Sequence, residues 1–359
     1  MVKTKPDICN TLCRKIEEAL IPLIDSDYLF LDLPYYSNIG DALIWLGTEH
    51  FMENLPHNCL GEHSLDTFDF RPIPKSTVIL LQGGGNFGDI WRQHQDFRLK
   101  VIQQYQENRI IVLPQTIHYE SDAVLTHDVQ QMNRHQHLTV CVRDSHSAAI
   151  LQEKGFTGQL LMLPDMAFCI DREILLADKG NKKKETLLLL RNDIESPLGG
   201  LREGTVSKHM DVKDWPHLNK SLRSALKYIR EHTAQETDLY FQTIYLPERI
   251  REGVRFVSAY GEVFSTRLHV VILRLLLGMP VKLMNNSYGK NLDFYNTWLE
   301  DSEQVGLPNE EEQQLLNQAI RCLQQKQARN RLMKKLLVGG SILILILVVL
   351  AIVYPLVIR

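Results

Sequence analysis

The residues best suited to chemistry in this chain fall into two groups. In the first half, two polar, glycine-bearing stretches each follow an apolar run. They are Asn38-Ile39-Gly40-Asp41 after YLFLDL, and Gly83-Gly84-Gly85-Asn86-Phe87-Gly88-Asp89 after TVILLQ. Glycines let a backbone approach a ligand closely, and exposed N–H groups at a helix N-terminus form a site for phosphate or carboxylate. Either stretch alone also suits a tight strand-to-helix turn, since neither has the full spacing of a P-loop or a dinucleotide fingerprint. In the second half, Arg191 follows TLLLL directly and Arg267-Leu268-His269 follows EVFST. A guanidinium is a planar fork that binds carboxylate or phosphate bidentately, so two of them at one crevice suit a small polyanion. The competing readings are surface salt bridges for the arginines and a structural role for His269.

Three further pairs end apolar runs: Pro114-Gln115, Arg143-Asp144 and Pro164-Asp165. Arg143 and Asp144 either pair with each other or leave Asp144 to cap a helix, and Asp165 is equally suited to a turn. No His, Asp or Glu cluster has the spacing of a metal site, so no metal is expected.

Those positions matter because of the elements that carry them. YLFLDL, TVILLQ, RIIVLP, LTVCVR and QLLML read as strands, separated by helical patterns such as Val101 to Tyr105 and Ala148 to Leu151, the latter stopped by Gly155. Continuous apolar strands alternating with helices imply a parallel sheet covered on both faces, with ligands at the strands' carboxyl ends. After the charged run DKGNKKKE the alternation restarts with TLLLLR, DLYFQTIYL, EVFST and PVKLM as strands. Leu222, Ala225, Leu226 and Ile229 mark one face of an intervening helix. The expected organisation is a helical segment over 1–27, a doubly wound lobe over 28–177, a linker over 178–185, and a second lobe over 186–300. A polar helical stalk over 301–335 follows. It opens with an Asn309/Glu312 capping box and carries Leu316, Ile320 and Leu323 on one face.

With 359 residues, 44% hydrophobic and 23% charged, the chain can bury a large core. A formal charge of −3 without a long basic stripe in the globular part gives no reason to expect nucleic acid. Six scattered cysteines fit neither a zinc site nor a disulfide scaffold, and Cys141 and Cys169 read as buried thiols of a reducing compartment. The first twenty residues lack the apolar core of a signal peptide. Residues 336–358, by contrast, are almost wholly aliphatic and at about 1.5 Å per residue would extend roughly 34 Å. That length predicts a C-terminal transmembrane helix. Lys326, Arg329, Arg331, Lys334 and Lys335 precede it and only Arg359 follows, which places the globular part on the cytoplasmic side of a single-pass membrane protein.

Taken in order, Asn38-Ile39-Gly40-Asp41, Gly83-Gly84-Gly85-Asn86, Pro114-Gln115, Arg143-Asp144, Pro164-Asp165, Arg191, Arg267-Leu268-His269, Asn285-Asn286 and Lys290 resemble the polysaccharide pyruvyl transferase family. The resemblance runs from about Tyr28 to Leu299. It implies two Rossmann-like lobes of the glycosyltransferase-B type and transfer of a pyruvyl group from phosphoenolpyruvate to a sugar hydroxyl pair as a ketal. The acceptor would belong to an exopolysaccharide or cell-surface glycan precursor, lipid-linked or not. Arg191, Arg267 and His269 match the family's donor-binding and catalytic positions, with Gly83, Gly84 and Gly85 beside the donor. His269 would serve as one acid–base group and either Asp41 or Asp165 as the other, with Asn38 and Asn86 toward the acceptor. Phosphoenolpyruvate enters as a substrate, and no cofactor is required.

Two other readings compete. A nucleotide-sugar glycosyltransferase on the same scaffold would want an acidic residue on the ribose, and Glu248, after DLYFQTIYL, is available. A non-catalytic, membrane-anchored assembly subunit would instead use the stalk for self-association or to bind other polysaccharide-synthesis proteins.

Overall fold

The computed structural model describes residues 7–182, 184–191, 204–207, 210–216, 218–285 and 290–329. The first half supplies α1 (Ile8–Leu20), β1 (Tyr28–Leu31), α2 (Ile39–Met52), β2 (Cys59–His63), β3 (Val78–Leu81), β4 (Gly84–Gly88), α3 (Arg92–Gln104), β5 (Ile110–His118), α4 (Asp122–Met132), β6 (Leu138–Val142), α5 (Ser145–Glu153), β7 (Gln159–Met162) and α6 (Arg172–Leu176). The second half supplies β8 (Lys184–Leu189), β9 (Gly204–Ser207), β10 (Met210–Lys213), α7 (Leu218–Glu231), α8 (Ala234–Tyr240), α9 (Leu246–Ser258), β11 (Tyr260–Ser265), α10 (Leu268–Leu276), β12 (Val281–Leu283), α11 (Lys290–Phe294), β13 (Val305–Gly306) and a helix over 310–329.

These elements build a mixed α/β structure on two sheets. The first has the order β2-β1-β3-β5-β6-β7, all parallel, with β4 laid against β5. The chain leaves β1 in one direction to reach β2 and in the other to reach β3, so the carboxyl ends of β1 and β3 flank a topological switch point. The second sheet, β13-β12-β11-β8-β10-β9, repeats the device between β8 and β11, and its β9–β10 pair is antiparallel.

Parallel sheets need cover on both faces. Leu29, Leu31, Ile79, Leu81, Val112 and Val140 pack against Phe97 and Val101 of α3, Val129 of α4 and Leu151 of α5. The alternate strand residues Phe30, Val78, Leu80 and Ile111 join α1, α2, α9 and α10 in a core that reaches Leu187, Leu189 and Val263 of the second sheet. The far face of that sheet, Leu188, Leu190, Val212 and Phe264, is closed by Leu316, Ile320 and Leu323.

That last contact settles what the 310–329 helix does. It opens with the expected capping box, Asn309 N to Glu312 Oε2 at 2.8 Å and Glu312 N to Asn309 Oδ1 at 2.9 Å. Its apolar face lies on the second sheet instead of leading away as a stalk. No helix among the described residues is long and apolar enough to cross a membrane. This corrects the expected transmembrane helix and the single-pass membrane location drawn from it. The segment 336–358 on which both rested lies outside the described residues.

Two local expectations also change. Asp238–Leu246, expected as a strand, is helical: α8 begins with a Thr233/Glu236 capping box, and a π-helical turn over Phe241–Tyr245 joins it to α9. The aromatic and β-branched content suggested a strand, but Phe241, Tyr245, Leu246 and Ile250 are buried while Leu239 and Ile244 are exposed, which is helical spacing. The glycine run after β3 is not an open loop throughout, because β4 forms within it. Gly88 lies so close to β5, at φ 137°, that a Cβ there would stand 1.7 Å from the His118 carbonyl oxygen.

Candidate active site

The two switch points open onto one cleft of about 540 Å³. From the first sheet it is lined by Asn38, Asp41, Gly85, Asn86, His94 and Arg143, and from the second by Arg191, Trp215, Arg267, His269 and Asn291.

His269 sits in the first turn of α10 and crosses to the first half of the chain. Its ring lies on the backbone of Gly40, where an added Cβ would stand 2.5 Å from Nδ1. Its Nε2 is 3.3 Å from Asp165 Oδ2 and 3.4 Å from Arg143 Nη1. Asp165 is fully buried, pairs with Arg143, and caps the turn Met166–Cys169 by accepting from Ala167 N at 3.0 Å. Burial alone would raise its carboxyl, but Arg143 and then His269 outweigh burial and hold it well below the usual carboxylate range. Asp165 therefore stays ionised and its lone pairs are committed, which suits orientation of His269 and not proton exchange. Arg143 is steadied through Nε to Thr116 Oγ1 at 2.8 Å. Asp144 takes the capping role, accepting from Ser147 N at 2.7 Å at the start of α5.

Asp41 behaves differently. It stands in the first turn of α2, whose N-cap Asn38 donates to its Oδ2 at 2.7 Å and accepts from Gly40 N at 3.0 Å. The residue is half-buried and lines the cleft. Loss of water around it raises its pKa against the opposing pull of His269 and a hydrogen bond from Tyr36. Of the two carboxyls expected beside His269, this is the one whose pKa is pushed up and not down.

Among the glycines, Gly85 lines the cleft. Gly83 is pressed against the Pro114 carbonyl, and Gly84 lies behind Asp41. Asn86 is anchored by Arg98 at 3.0 Å and Gln115 at 3.3 Å, while Gln115 also donates to Gln82 O at 2.8 Å. The Pro114-Gln115 pair thus braces the site from behind. Arg191 and Arg267 both reach the cleft. The Nε and Nη2 edge of Arg267 is held by Asp214, with Nη2 at 2.7 Å from Oδ2. Asn286 lies outside the described residues, as does the side chain of Lys290. Glu248, the candidate ribose ligand, is in the first turn of α9 beside Arg251 and does not line the cleft.

The structure also places a cluster that the sequence reading passed over. Asp32 was counted within the strand YLFLDL, but β1 ends at Leu31 and Asp32 turns into the left-handed region at φ 69°. Its Oδ1 is 2.7 Å from His94 Nδ1 and its Oδ2 is 3.4 Å from Arg98 Nη2. The available signal was an acidic residue inside an otherwise wholly apolar run. Among the described residues no group of His, Cys, Asp or Glu could hold a metal ion.

The profile of the polysaccharide pyruvyl transferase family matches residues 38–288. The chain is 29% identical over 301 residues to a putative pyruvyl transferase, EpsO, of Bacillus subtilis, covering 79% of this chain and 91% of that one. It is 25% identical over 280 residues to pyruvyl transferase 1 of Schizosaccharomyces pombe, covering 75% and 69%. The crystal structure of an uncharacterized Klebsiella pneumoniae protein has the same fold, with a TM-score of 0.58 at 21% identity, covering 83% of this chain and 98% of that one.

Proposed function

This chain belongs to the polysaccharide pyruvyl transferase family and is a transferase; from that premise we propose that it moves a pyruvyl group from phosphoenolpyruvate to two hydroxyls of a sugar, forming a ketal on an exopolysaccharide or cell-surface glycan precursor. The observation that carries this reading is the meeting of Arg191, Arg267 and His269 from one sheet with Asp41 and Asn38 from the other in a single cleft. A donor with a carboxylate and a phosphate suits the arginine side, and a polar acceptor suits the asparagine and aspartate side.

The reaction has a definite proton balance. One hydroxyl adds to the enol carbon, the methylene carbon gains a proton to become methyl, and the second hydroxyl displaces phosphate. Two hydroxyl protons leave the sugar; one offsets the proton gained by the methyl carbon and the other leaves with phosphate. His269 supplies the proton to the methylene carbon, its ring fixed by Gly40 on one side and Asp165 on the other. Asp41, with its raised pKa, receives a hydroxyl proton. The helix over 310–329 spends its apolar face on the second sheet, which weighs against an assembly role for that surface.

Incubation with phosphoenolpyruvate and a panel of free, nucleotide-linked and lipid-linked sugars should release phosphate and give a ketal-bearing product detectable by mass spectrometry. Absence of both across the panel would overturn the reading. Two substitutions sharpen it. Arg267→Lys keeps the charge but loses the fork that spans Asp214 and the cleft, so phosphoenolpyruvate affinity measured by calorimetry should fall by about 1–3 kcal/mol. Unchanged affinity would remove Arg267 from the donor site. Gly40→Ala should push the His269 ring aside by roughly an ångström, enough for a ~10²-fold loss of rate. Near-normal turnover in that variant would show that the ring position is not critical.

A further inference from the structure

A ketal consumes two hydroxyls, and Asp41 accounts for one of the protons they release. We propose that His94, held by Asp32, is a second general base, which takes a proton from an acceptor hydroxyl on the first-sheet side of the cleft. This inference rests on the pyruvyl transfer reading.

The geometry is that of an oriented imidazole. His94 lies in the first turn of α3, is 4% exposed, and borders the cleft. Asp32 is fully buried and accepts from Nδ1 at 2.7 Å, which fixes the tautomer that leaves Nε2 without a proton in the neutral ring. The Gln93 amide is 3.5 Å from Nε2, and the Tyr36 ring meets the imidazole edge-on at 5.4 Å between centroids. Asp32 stands at the β1 end of the switch point, where ligands of such sheets collect, and its left-handed backbone at φ 69° is a conformation that only the local function or packing would retain.

The groups facing His94 set its protonation. Arg98 on its own helix opposes the charged ring, and Asp41 on α2 favours it. Asp66, in the segment after β2, also feels its field. Burial opposes the imidazolium, but the adjacent Asp32 carboxylate outweighs it and raises the pKa above the ordinary histidine value. The step needs no further reactant. In the second stage the hydroxyl oxygen bonds to the former enol carbon as that carbon's bond to the phosphate oxygen breaks, and the hydroxyl proton passes to Nε2 and leaves with phosphate. The proton that Asp41 took in the addition stage replaces the one His269 gave to the methyl carbon.

The experiment compares the full chain with His94→Gln and Asp32→Asn, using phosphoenolpyruvate and methyl hexopyranosides with free diols as acceptors. Asn adopts the left-handed backbone as readily as Asp, so the second variant removes charge and keeps the turn. His94→Gln should lower the rate of ketal formation by about 10²- to 10⁴-fold with phosphoenolpyruvate affinity unchanged. Asp32→Asn, the positioning variant, should move the acidic limb of the pH–rate profile to lower pH, because the carboxylate that raises the His94 pKa is gone. If the wild type forms ketal and His94→Gln keeps its rate within a few-fold, or Asp32→Asn leaves the acidic limb in place, the inference fails while the reaction stands. If the wild type forms no ketal, the reaction and the inference fall together.

Discussion

Replacing His269 with Gln is expected to collapse turnover by about 10²- to 10⁴-fold while phosphoenolpyruvate affinity and melting temperature change little. Glutamine offers a neutral hydrogen-bonding end to Asp165 Oδ2 and Arg143 but cannot pass a proton to the methylene carbon near neutral pH. The ring already lies between two fixed partners, the Gly40 backbone and the Asp165 carboxylate, so little rearrangement is needed before reaction. Steady-state kinetics beside calorimetric donor binding would check this. A variant that loses its fold would instead assign His269 to packing between the two sheets, and one with near-normal turnover would show that another group moves the proton.

The second large effect is on stability. Asp165→Asn removes the negative partner of Arg143 inside a fully buried site. Breaking one side of a buried ion pair costs about 3–5 kcal/mol, because the remaining charge is left without compensation. The pH dependence has a definite sign. The folded carboxyl is held below its unfolded value of about 4, so its contribution is complete above that pH and is lost as pH falls toward the folded value. Denaturant unfolding at several pH values should therefore show the wild type losing stability on acidification, and Asp165→Asn starting lower with a flatter profile. Equal stability of the two proteins above about pH 5 would show that Arg143 finds another partner.

These effects trace back to residues whose legibility in the sequence differed. The strands were readable where several apolar residues ran together: β1, β3, β5, β6, β7, β8, β11 and β12 all fall on runs singled out by composition. Strands with weak composition, such as β2 over CLGEH and β9 over GTVS, gave no such signal and form because a neighbouring strand offers them a ladder. Asp238–Leu246 was misread because strand-forming residue types outvoted their spacing, and only the packed environment shows which side of that segment is wet. The aliphatic segment at 336–358 dominated the expectation for the whole C-terminus, yet the preceding helix owes its position to the exposed face of the second sheet, a partner invisible to hydropathy.

By itself the sequence determined the alternation of strands and helices, the capping box at Asn309, the cap that Asp144 offered as one of two readings, and the placement of Arg191, Arg267 and His269 after strands. Those are local consequences of side-chain type and period, and they need no knowledge of what lies across the fold. Tertiary structure alone decided that His269 rests on Gly40, that Asp165 serves Arg143 and His269 while burial pushes the Asp41 carboxyl the other way, and that Asp214 grips Arg267. It also joined Asp32 to His94 across 62 positions of the chain. Pairings of this kind depend on which strand ends the two sheets bring face to face, and the fields that divide otherwise similar carboxyls exist only once water has been excluded between them.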